Sequence, residues 1–140
     1  MKKNILTVIS IFFYLTILLF TGCSKEETTI ENWILGTWSV DTYVQLDYDE
    51  NGKLVSESPS TDQGNIEFRK DGTGADTGGN FIGSEFTWTN TDTTLELTEG
   101  STVTVYDIEE YSFTDFIFSI SEDNQSGGTS VERWYLSKVQ

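Results

Sequence analysis

The sequence contains no histidine, one cysteine and one proline. Without histidine, a Ser-His-Asp triad, a Cys-His pair and a His-ligated metal or haem site are excluded. One cysteine forms neither an intramolecular disulfide nor a cysteine-based zinc or iron–sulfur site. Basic residues are also few, 8 against 23 acidic ones, so the net charge is −15. Because nucleic-acid binding needs a basic surface, we expect no nucleic-acid partner.

The first 23 residues combine two lysines, an uncharged stretch and the single cysteine. Lys2 and Lys3 precede an uncharged stretch, 5–20, which is typical of a signal peptide and shorter than the about 20 residues that span a bilayer. Residues 19–23 (LFTGC) resemble a lipobox, in which the cysteine is acylated by chains such as palmitate. We predict a signal peptide over 1–22 and lipidation of Cys23, which makes the membrane a partner. An uncleaved anchor, or an ordinary signal with an incidental cysteine, is the alternative.

The segment after Cys23 predicts the location of the protein. Residues 24–27 (SKEE) resemble the export signal that directs lipoproteins of Bacteroidota to the cell surface. We therefore expect a lipid-anchored outer-membrane protein exposed at the surface, with residues 23–29 as the lipidated cysteine and tether. An ordinary charged tether is the alternative. Removal of residues 1–22 removes two lysines and no acid, which takes the net charge to −17.

The composition of the remaining chain favours strands over helices. Residues 23–140 contain one alanine, Ala75, and 17 threonines. Alanine favours helices and threonine favours strands, so a helical domain is disfavoured. The apolar residues are few but large, and aromatic side chains make up 14% of the sequence. Few but large apolar residues suit a thin-walled β-structure with an aromatic inner face.

Alternating apolar residues and turn signals divide residues 30–140 into one domain of about eight strands. The predicted strands are 38–48, 53–57, 64–70, an interrupted segment 73–89, 94–98, 102–109, 114–121 and 129–138. Strands joined by short turns are antiparallel neighbours. We predict an all-β, eight-stranded antiparallel up-and-down barrel, with a sandwich as the alternative, because closure removes exposed edges.

On two strands the alternation predicts which side chains share a face. On strand 102–109, Val103 and Val105 share the apolar face. On strand 38–48, strict alternation places six residues on one face: Trp38, Val40, Thr42, Val44, Leu46 and Tyr48.

Five motifs follow one another in order along residues 30–140. They are 35–38 (LGTW), 66–74 (IEFRKDGTG), 86–88 (FTW), 95–97 (LEL) and 134–138 (WYLSK). Together they resemble the lipocalin-like domain of small Bacteroidota lipoproteins. The resemblance covers residues 30–140 and implies a calycin-type barrel more firmly than it implies a function. It also implies a barrel floor in which Gly36 bends the chain, Trp38 plugs the end and a cation of the last strand covers that ring. Lys138 is the first candidate for that cation, and Arg133 is the second.

Several aromatic residues are candidates for an apolar ligand pocket inside the barrel. They are Phe68, Phe86, Trp88, Phe116, Phe118 and Trp134, with Phe81 also in the set. A hollow interior would bind a small hydrophobic molecule without catalysis. A filled interior would instead favour a surface scaffold that binds another protein. We expect no enzyme activity, no cofactor and a monomer.

Three further patterns are weak candidates for chemistry. Asp47, Asp49 and Asn51 match the first half of a calcium loop, although position 12 is Ser58 where the loop needs glutamate, so an acidic hairpin tip is favoured and we predict no metal site. Asp76 begins an Asp-Thr-Gly triplet like that of aspartic proteases, which we interpret as a loop or bulge. Two carboxylate pairs are conceivable for glycoside hydrolysis and are expected by chance among 23 acids: Glu109 with Glu110, and Glu67 with Glu96.

Overall fold

The computed structural model describes residues 33–78, 81–125 and 127–140, so the predicted signal peptide, Cys23 and the tether lie outside the described residues. Trp33 and Ile34 are helical and lead directly into the sheet. The described strands are β1 (Gly36–Tyr48), β2 (Leu54–Thr61), β3 (Asn65–Phe68), β4 (Thr73–Asp76), β5 (Glu85–Asn90), β6 (Thr94–Glu99), β7 (Thr102–Tyr111), β8 (Asp115–Asp123) and β9 (Thr129–Lys138).

The strands close into a single antiparallel up-and-down barrel. From β3 to β9, each strand pairs with the next one along the chain. β9 then pairs with β1, from Trp38 opposite Lys138 to Tyr48 opposite Thr129. This closure confirms the predicted all-β, eight-stranded antiparallel barrel.

Nine strands fill eight positions because β2 and β3 lie end to end along one edge of β1. β2 pairs with residues 42–48 of β1, and β3 pairs with residues 36–39. Between them the chain turns aside at Asp62 and Gly64, which have positive φ angles of 55° and 93°. The amide of Val40 donates to the Gly64 carbonyl oxygen across this break, at 2.9 Å.

The predicted number of barrel positions is right, although the chain is divided into strands differently. The sequence predicts one interrupted strand over 73–89, whereas β4 and β5 are separate strands that pair with each other. The segments 53–57 and 64–70, expected as two strands, share one barrel position. The two differences compensate, so the barrel still has eight positions.

A β-bulge near Asp41 changes which residues of β1 face inward. The pairing with β9 slips between Val40 and Thr42. A one-residue slip moves every later side chain to the opposite face of a strand. After the bulge, Tyr43 lies opposite Trp134 and their ring centroids are 5.2 Å apart. The six residues predicted to share one face of strand 38–48 are therefore divided: Trp38 and Val40 belong to the core cluster, whereas Val44 and Leu46 are buried outside it.

The interior of the barrel is apolar toward one end and polar toward the other. At the end that we call the floor, β1 begins and β9 ends, and the buried core includes Trp38, Phe68 and Phe116. At the opposite end, the mouth, β1 ends and β9 begins. On β7 the inner side carries Tyr106, which is buried, whereas Val103 and Val105 are 55% and 50% exposed. The predicted apolar face of that strand is thus its outer face.

Candidate functional site

The floor of the barrel is built around Trp38. Its indole Nε1 donates a hydrogen bond to the Ile34 carbonyl oxygen at 2.7 Å, and the side chain is 1% exposed. The Lys138 ammonium lies over the ring, with Nζ 4.3 Å from its centroid, and donates a hydrogen bond to the Leu35 carbonyl oxygen. Burial lowers the pKa of Lys138. Trp38 and Lys138, both predicted for the floor, are thus in contact there.

Gly36 leaves room for this arrangement at the start of β1. Its φ angle of 110° lies in the region that favours glycine, and a Cβ atom there would lie 3.0 Å from the Lys138 Nζ. A larger residue would therefore strain the backbone and push against the ammonium.

Arg133, the second candidate for the floor, lies on the outer wall instead. Its Nε is 2.9 Å from a carboxylate oxygen of Glu109, across the intervening strand β8. Burial acts to lower the pKa of Arg133, but the hydrogen bonds that its guanidinium makes with Glu109 and Tyr135, together with the charge of Glu109, raise that pKa overall. Glu109 is thereby engaged in an ion pair, and Glu67 makes a similar pair with Arg69 at 2.7 Å.

The six aromatic residues predicted to line a pocket pack against one another. Phe68 contacts Phe86 and Trp88 edge-on, with ring centroids 5.8 and 5.5 Å away. Phe118 stacks on Trp134 at 5.4 Å and contacts Phe116 at 5.1 Å. All six side chains are buried. They form the core of the barrel, and each ring is covered by neighbouring side chains.

Phe81 enters this core from the connection between β4 and β5. Its ring centroid lies 5.0 Å from that of Trp134, 5.3 Å from Phe118 and 5.6 Å from Tyr106. A side chain of the β4–β5 connection therefore occupies interior space above the aromatic core, where a ligand would otherwise contact the rings.

Asp76 fixes the position of this connection. Its carboxylate accepts hydrogen bonds from the backbone amides of Gly78, Phe81 and Ile82, at 2.8, 3.0 and 3.1 Å. The residue is buried. A buried carboxylate that accepts several backbone hydrogen bonds stabilises the loop that surrounds it. This agrees with the interpretation of the Asp-Thr-Gly triplet as a loop.

A cavity of about 160 Å³ opens at the mouth, between β7, β8 and β9. Its lining consists of Thr104, Tyr106, Ile120, Glu122, Ser130 and Glu132. Pockets for drug-sized ligands have volumes of about 300–1,000 Å³, whereas a cavity of about 150 Å³ holds benzene. The mouth cavity thus has room for a molecule of about that size.

Glu132 is the acidic centre of the mouth. It accepts a hydrogen bond from the Tyr43 hydroxyl, and burial together with the charge of Glu132 raises the pKa of Tyr43. Burial and the same charge raise the pKa of Tyr106 to about 12. Both tyrosines pack against Trp134, at 5.2 and 5.3 Å. A negative charge therefore lies beside three aromatic rings.

A second carboxylate at the mouth is fixed by polar neighbours. The Ser130 hydroxyl donates to Asp47 Oδ1 at 2.8 Å, and the Gln45 amide lies 3.5 Å from both. Across the cavity, Glu122 lines the wall on β8. Because opposite charges attract, the carboxylates of Glu122 and Glu132 in the cavity lining favour a positively charged guest.

The predicted calcium-loop residues have structural roles in the β1–β2 hairpin. Asp49 Oδ1 accepts hydrogen bonds from the backbone amides of Asn51 and Lys53, both at 2.9 Å. Asp47 faces Ser130 instead. Within the described part of the chain, no group of three or more acidic or cysteine side chains is placed to hold a metal ion.

Four residues of the mouth were not predicted from the sequence. Glu132 and Ser130 share the alternation of Trp134 and Leu136 along β9, so their inward position could have been predicted from the sequence. The inward position of Tyr106 was not predicted, because Val103 and Val105 make the opposite face of β7 the more apolar one. Tyr43 faces inward only because of the bulge in β1, which no local pattern signals.

In comparisons with known proteins, no family model and no curated protein matches the chain. The barrel is compatible with a lipocalin-like fold. No helix among residues 33–78, 81–125 and 127–140 is both long enough and apolar enough to cross a membrane.

Proposed function

We propose that this chain is a lipid-anchored, surface-exposed protein of the outer membrane that binds a small organic cation at the mouth of its barrel, without catalysis. The anchor is the acylated Cys23 predicted from the lipobox. The observation that supports this class of ligand is the mouth cavity, whose lining includes Glu132 and Tyr106, with the Tyr43 hydroxyl hydrogen-bonded to Glu132. The sequence favoured a hydrophobic guest, but the aromatic side chains expected to bind it are packed on each other and on Phe81.

The chemistry of the mouth suits an ammonium group better than a neutral or anionic one. A cation is attracted both to a carboxylate and to the face of an aromatic ring, and the latter contributes about 0.5–2 kcal/mol depending on desolvation. The net charge of −15 adds a long-range attraction for cations that salt weakens. The volume of about 160 Å³ limits the guest to about the size of one substituted ring.

Three probes of one shape and different charge test this proposal: benzylammonium, benzyl alcohol and benzoate. Binding to the full chain is measured by calorimetry, in the wild type and in Glu132→Gln. We expect the ammonium to bind most tightly and to lose at least about tenfold in affinity in Glu132→Gln, in line with the loss of a charged partner. Glu96→Gln, on the exposed side of β6, is the control and retains wild-type affinity.

The other outcomes separate the alternatives. Equal binding of the alcohol and the ammonium would favour the hydrophobic guest expected from the sequence. No binding of any probe would overturn the proposal and favour a scaffold with a filled barrel.

One observation supports the scaffold as a second candidate function. All eight residues of β2 are exposed, and among the described residues β2 pairs with β1 alone. An unpaired strand edge can accept an extended segment of another protein. A photo-crosslinking residue at Val55 should then capture an envelope protein, whereas the same residue at Val103, on the outer wall, should not. Equal capture at both positions would contradict a specific role of the β2 edge in binding another protein.

A further inference from the structure

Four apolar side chains at the floor end of the barrel form what we call the floor patch: Tyr111, Phe113 and Val139, which are exposed, and Trp33, which is partly exposed. The rings of Trp33 and Phe113 are in contact, with centroids 3.4 Å apart, and the centroid of Tyr111 is 6.5 Å from that of Trp33. Phe113 is 73% exposed, and Tyr111 and Val139 are each 44% exposed. Most of the other aromatic rings are packed in the core.

The position of the floor patch in the chain indicates what covers it. Trp33 is the first described residue, and it follows Cys23 by only ten positions. At about 3.5 Å per residue, a chain of that length reaches at most about 35 Å. If Cys23 carries the lipid, Trp33 cannot lie farther than that from the membrane surface. The floor is therefore the end of the barrel that the attachment holds nearest to the lipid.

The chemistry of the floor patch fits the boundary between water and hydrocarbon. Tryptophan and tyrosine concentrate at membrane interfaces, because one part of each ring is apolar and another part forms hydrogen bonds. A cluster of basic residues would indicate attraction to anionic lipids, but Asp115 and Glu110 adjoin the patch and the chain has a net charge of −15. The contact must therefore depend on apolar burial, with zwitterionic lipid as the preferred surface.

We infer that the floor patch seats the barrel on the lipid bilayer, with the rings of Trp33 and Phe113 in the interface and the mouth directed away from the membrane. The inference rests on the proposed lipidation of Cys23 and adds an orientation to it. A barrel held in this way presents the mouth cavity to the surroundings of the cell. Without the patch, the tether alone would leave the barrel free to rotate.

The test uses the full lipidated chain in zwitterionic vesicles with and without bromine on the acyl chains. Bromine quenches tryptophan emission only at short range, and Trp38, Trp88 and Trp134 are buried in the core. We expect quenching in the wild type, and we expect it to fall to the level of bromine-free vesicles in Trp33→Phe. Phe113→Ser should reduce the quenching of Trp33, whereas Val103→Ser, at the other end of β7, should leave it unchanged.

Mass spectrometry of the same samples distinguishes failure of the proposed lipid anchor from failure of the proposed orientation of the barrel. Absence of an acyl group on Cys23 contradicts the anchor of the proposed function. An acyl group on Cys23 without quenching of Trp33 overturns the seating of the barrel. A chain that dimerises in solution through Phe113, and is not quenched, also overturns it and assigns the floor patch to a second copy.

Discussion

Two cations on β9 differ in what they contribute. Lys138 lies over Trp38 and donates to the Leu35 carbonyl oxygen, whereas Arg133 pairs with Glu109 on the outer wall. The partly buried cation over an aromatic ring contributes about 0.5–2 kcal/mol, and an exposed ion pair contributes about 0–1 kcal/mol. Whether the side chain faces inward or outward therefore determines how much each charge contributes to the stability of the fold.

Lys138→Met should lower the free energy of unfolding by about 0.5–2 kcal/mol, because it removes the charge over Trp38 and keeps much of the apolar side chain. Arg133→Met is the matched control on the same strand, and its effect should be smaller. Urea denaturation of both variants measures the difference. A larger loss in Arg133→Met than in Lys138→Met would contradict the role given to the floor contact.

The tyrosines beside Glu132 should make the folded protein less stable at high pH. The folded-state pKa of Tyr106 is about 12, raised from 10.0 first by burial and then by Glu132. A raised pKa means that the folded state holds the proton more tightly, so the stabilisation is complete below pH 10 and is lost as the pH rises toward 12. Titration of tyrosinate absorbance should show a group that ionises near 12.

Glu132→Gln should lower the pKa of Tyr106, because it removes the negative charge that opposes formation of tyrosinate. The pKa should still remain above 10, since burial is the larger cause. An unchanged titration in this variant would show that Glu132 does not face Tyr106. Glu96→Gln serves as the control because it lies on the outer side of β6.

Among the elements, the connection between β4 and β5 has the most consequence for function. Asp76 holds its backbone and Phe81 inserts among Tyr106, Phe118 and Trp134. The connection thereby fills space that a hollow barrel would offer to a ligand.

Phe81→Ala should open a cavity above the aromatic core and cost about 3–5 kcal/mol at most, the range for truncation of a buried aromatic residue. An apolar cavity of that kind stays dry and binds benzene or xenon. Xenon-induced changes in the NMR spectrum should therefore appear in Phe81→Ala near Phe118 and Trp134. Phe113→Ala, which removes an exposed ring, should produce neither effect. A Phe81→Ala protein that binds no apolar probe would show that the interior collapses.

The boundaries of the elements followed from local signals only in part. The alternation and the turn residues predicted β6, β8 and β9 closely, because each is an antiparallel strand with a regular pattern. The division of the edge opposite β1 depended on Asp62 and Gly64, and the separation of β4 from β5 depended on hydrogen bonds to Asp76. Those are choices of backbone angle and of long-range contact, which a hydropathy pattern does not contain.

For the whole molecule, the excess of acidic residues is the dominant electrostatic feature. A net charge of −15 on a compact barrel produces self-repulsion that unfolding relieves. Added salt screens this repulsion, with a Debye length of about 10 Å at 0.1 M and about 3 Å at 1 M.

The melting temperature should therefore rise between low and moderate concentrations of sodium chloride, as measured by calorimetry at neutral pH. The described chain contains few ion pairs for salt to weaken, Arg69 with Glu67 and Arg133 with Glu109 among them. A melting temperature that falls with salt would show that attractive pairs outweigh the general repulsion.

The class of fold followed from the sequence, whereas the arrangement of the site required the folded barrel. Threonine content, alternation and short turns are local properties, and they predicted an antiparallel barrel and the inward face of β9. The convergence of Tyr43, Tyr106 and Glu132 comes from three strands that are distant in the chain, and it depends on a one-residue bulge near Asp41. The same holds for the filled interior, since Phe81 reaches Trp134 only after the barrel has closed. Contacts between distant segments depend on closure and register, which the local alternation of residues does not record.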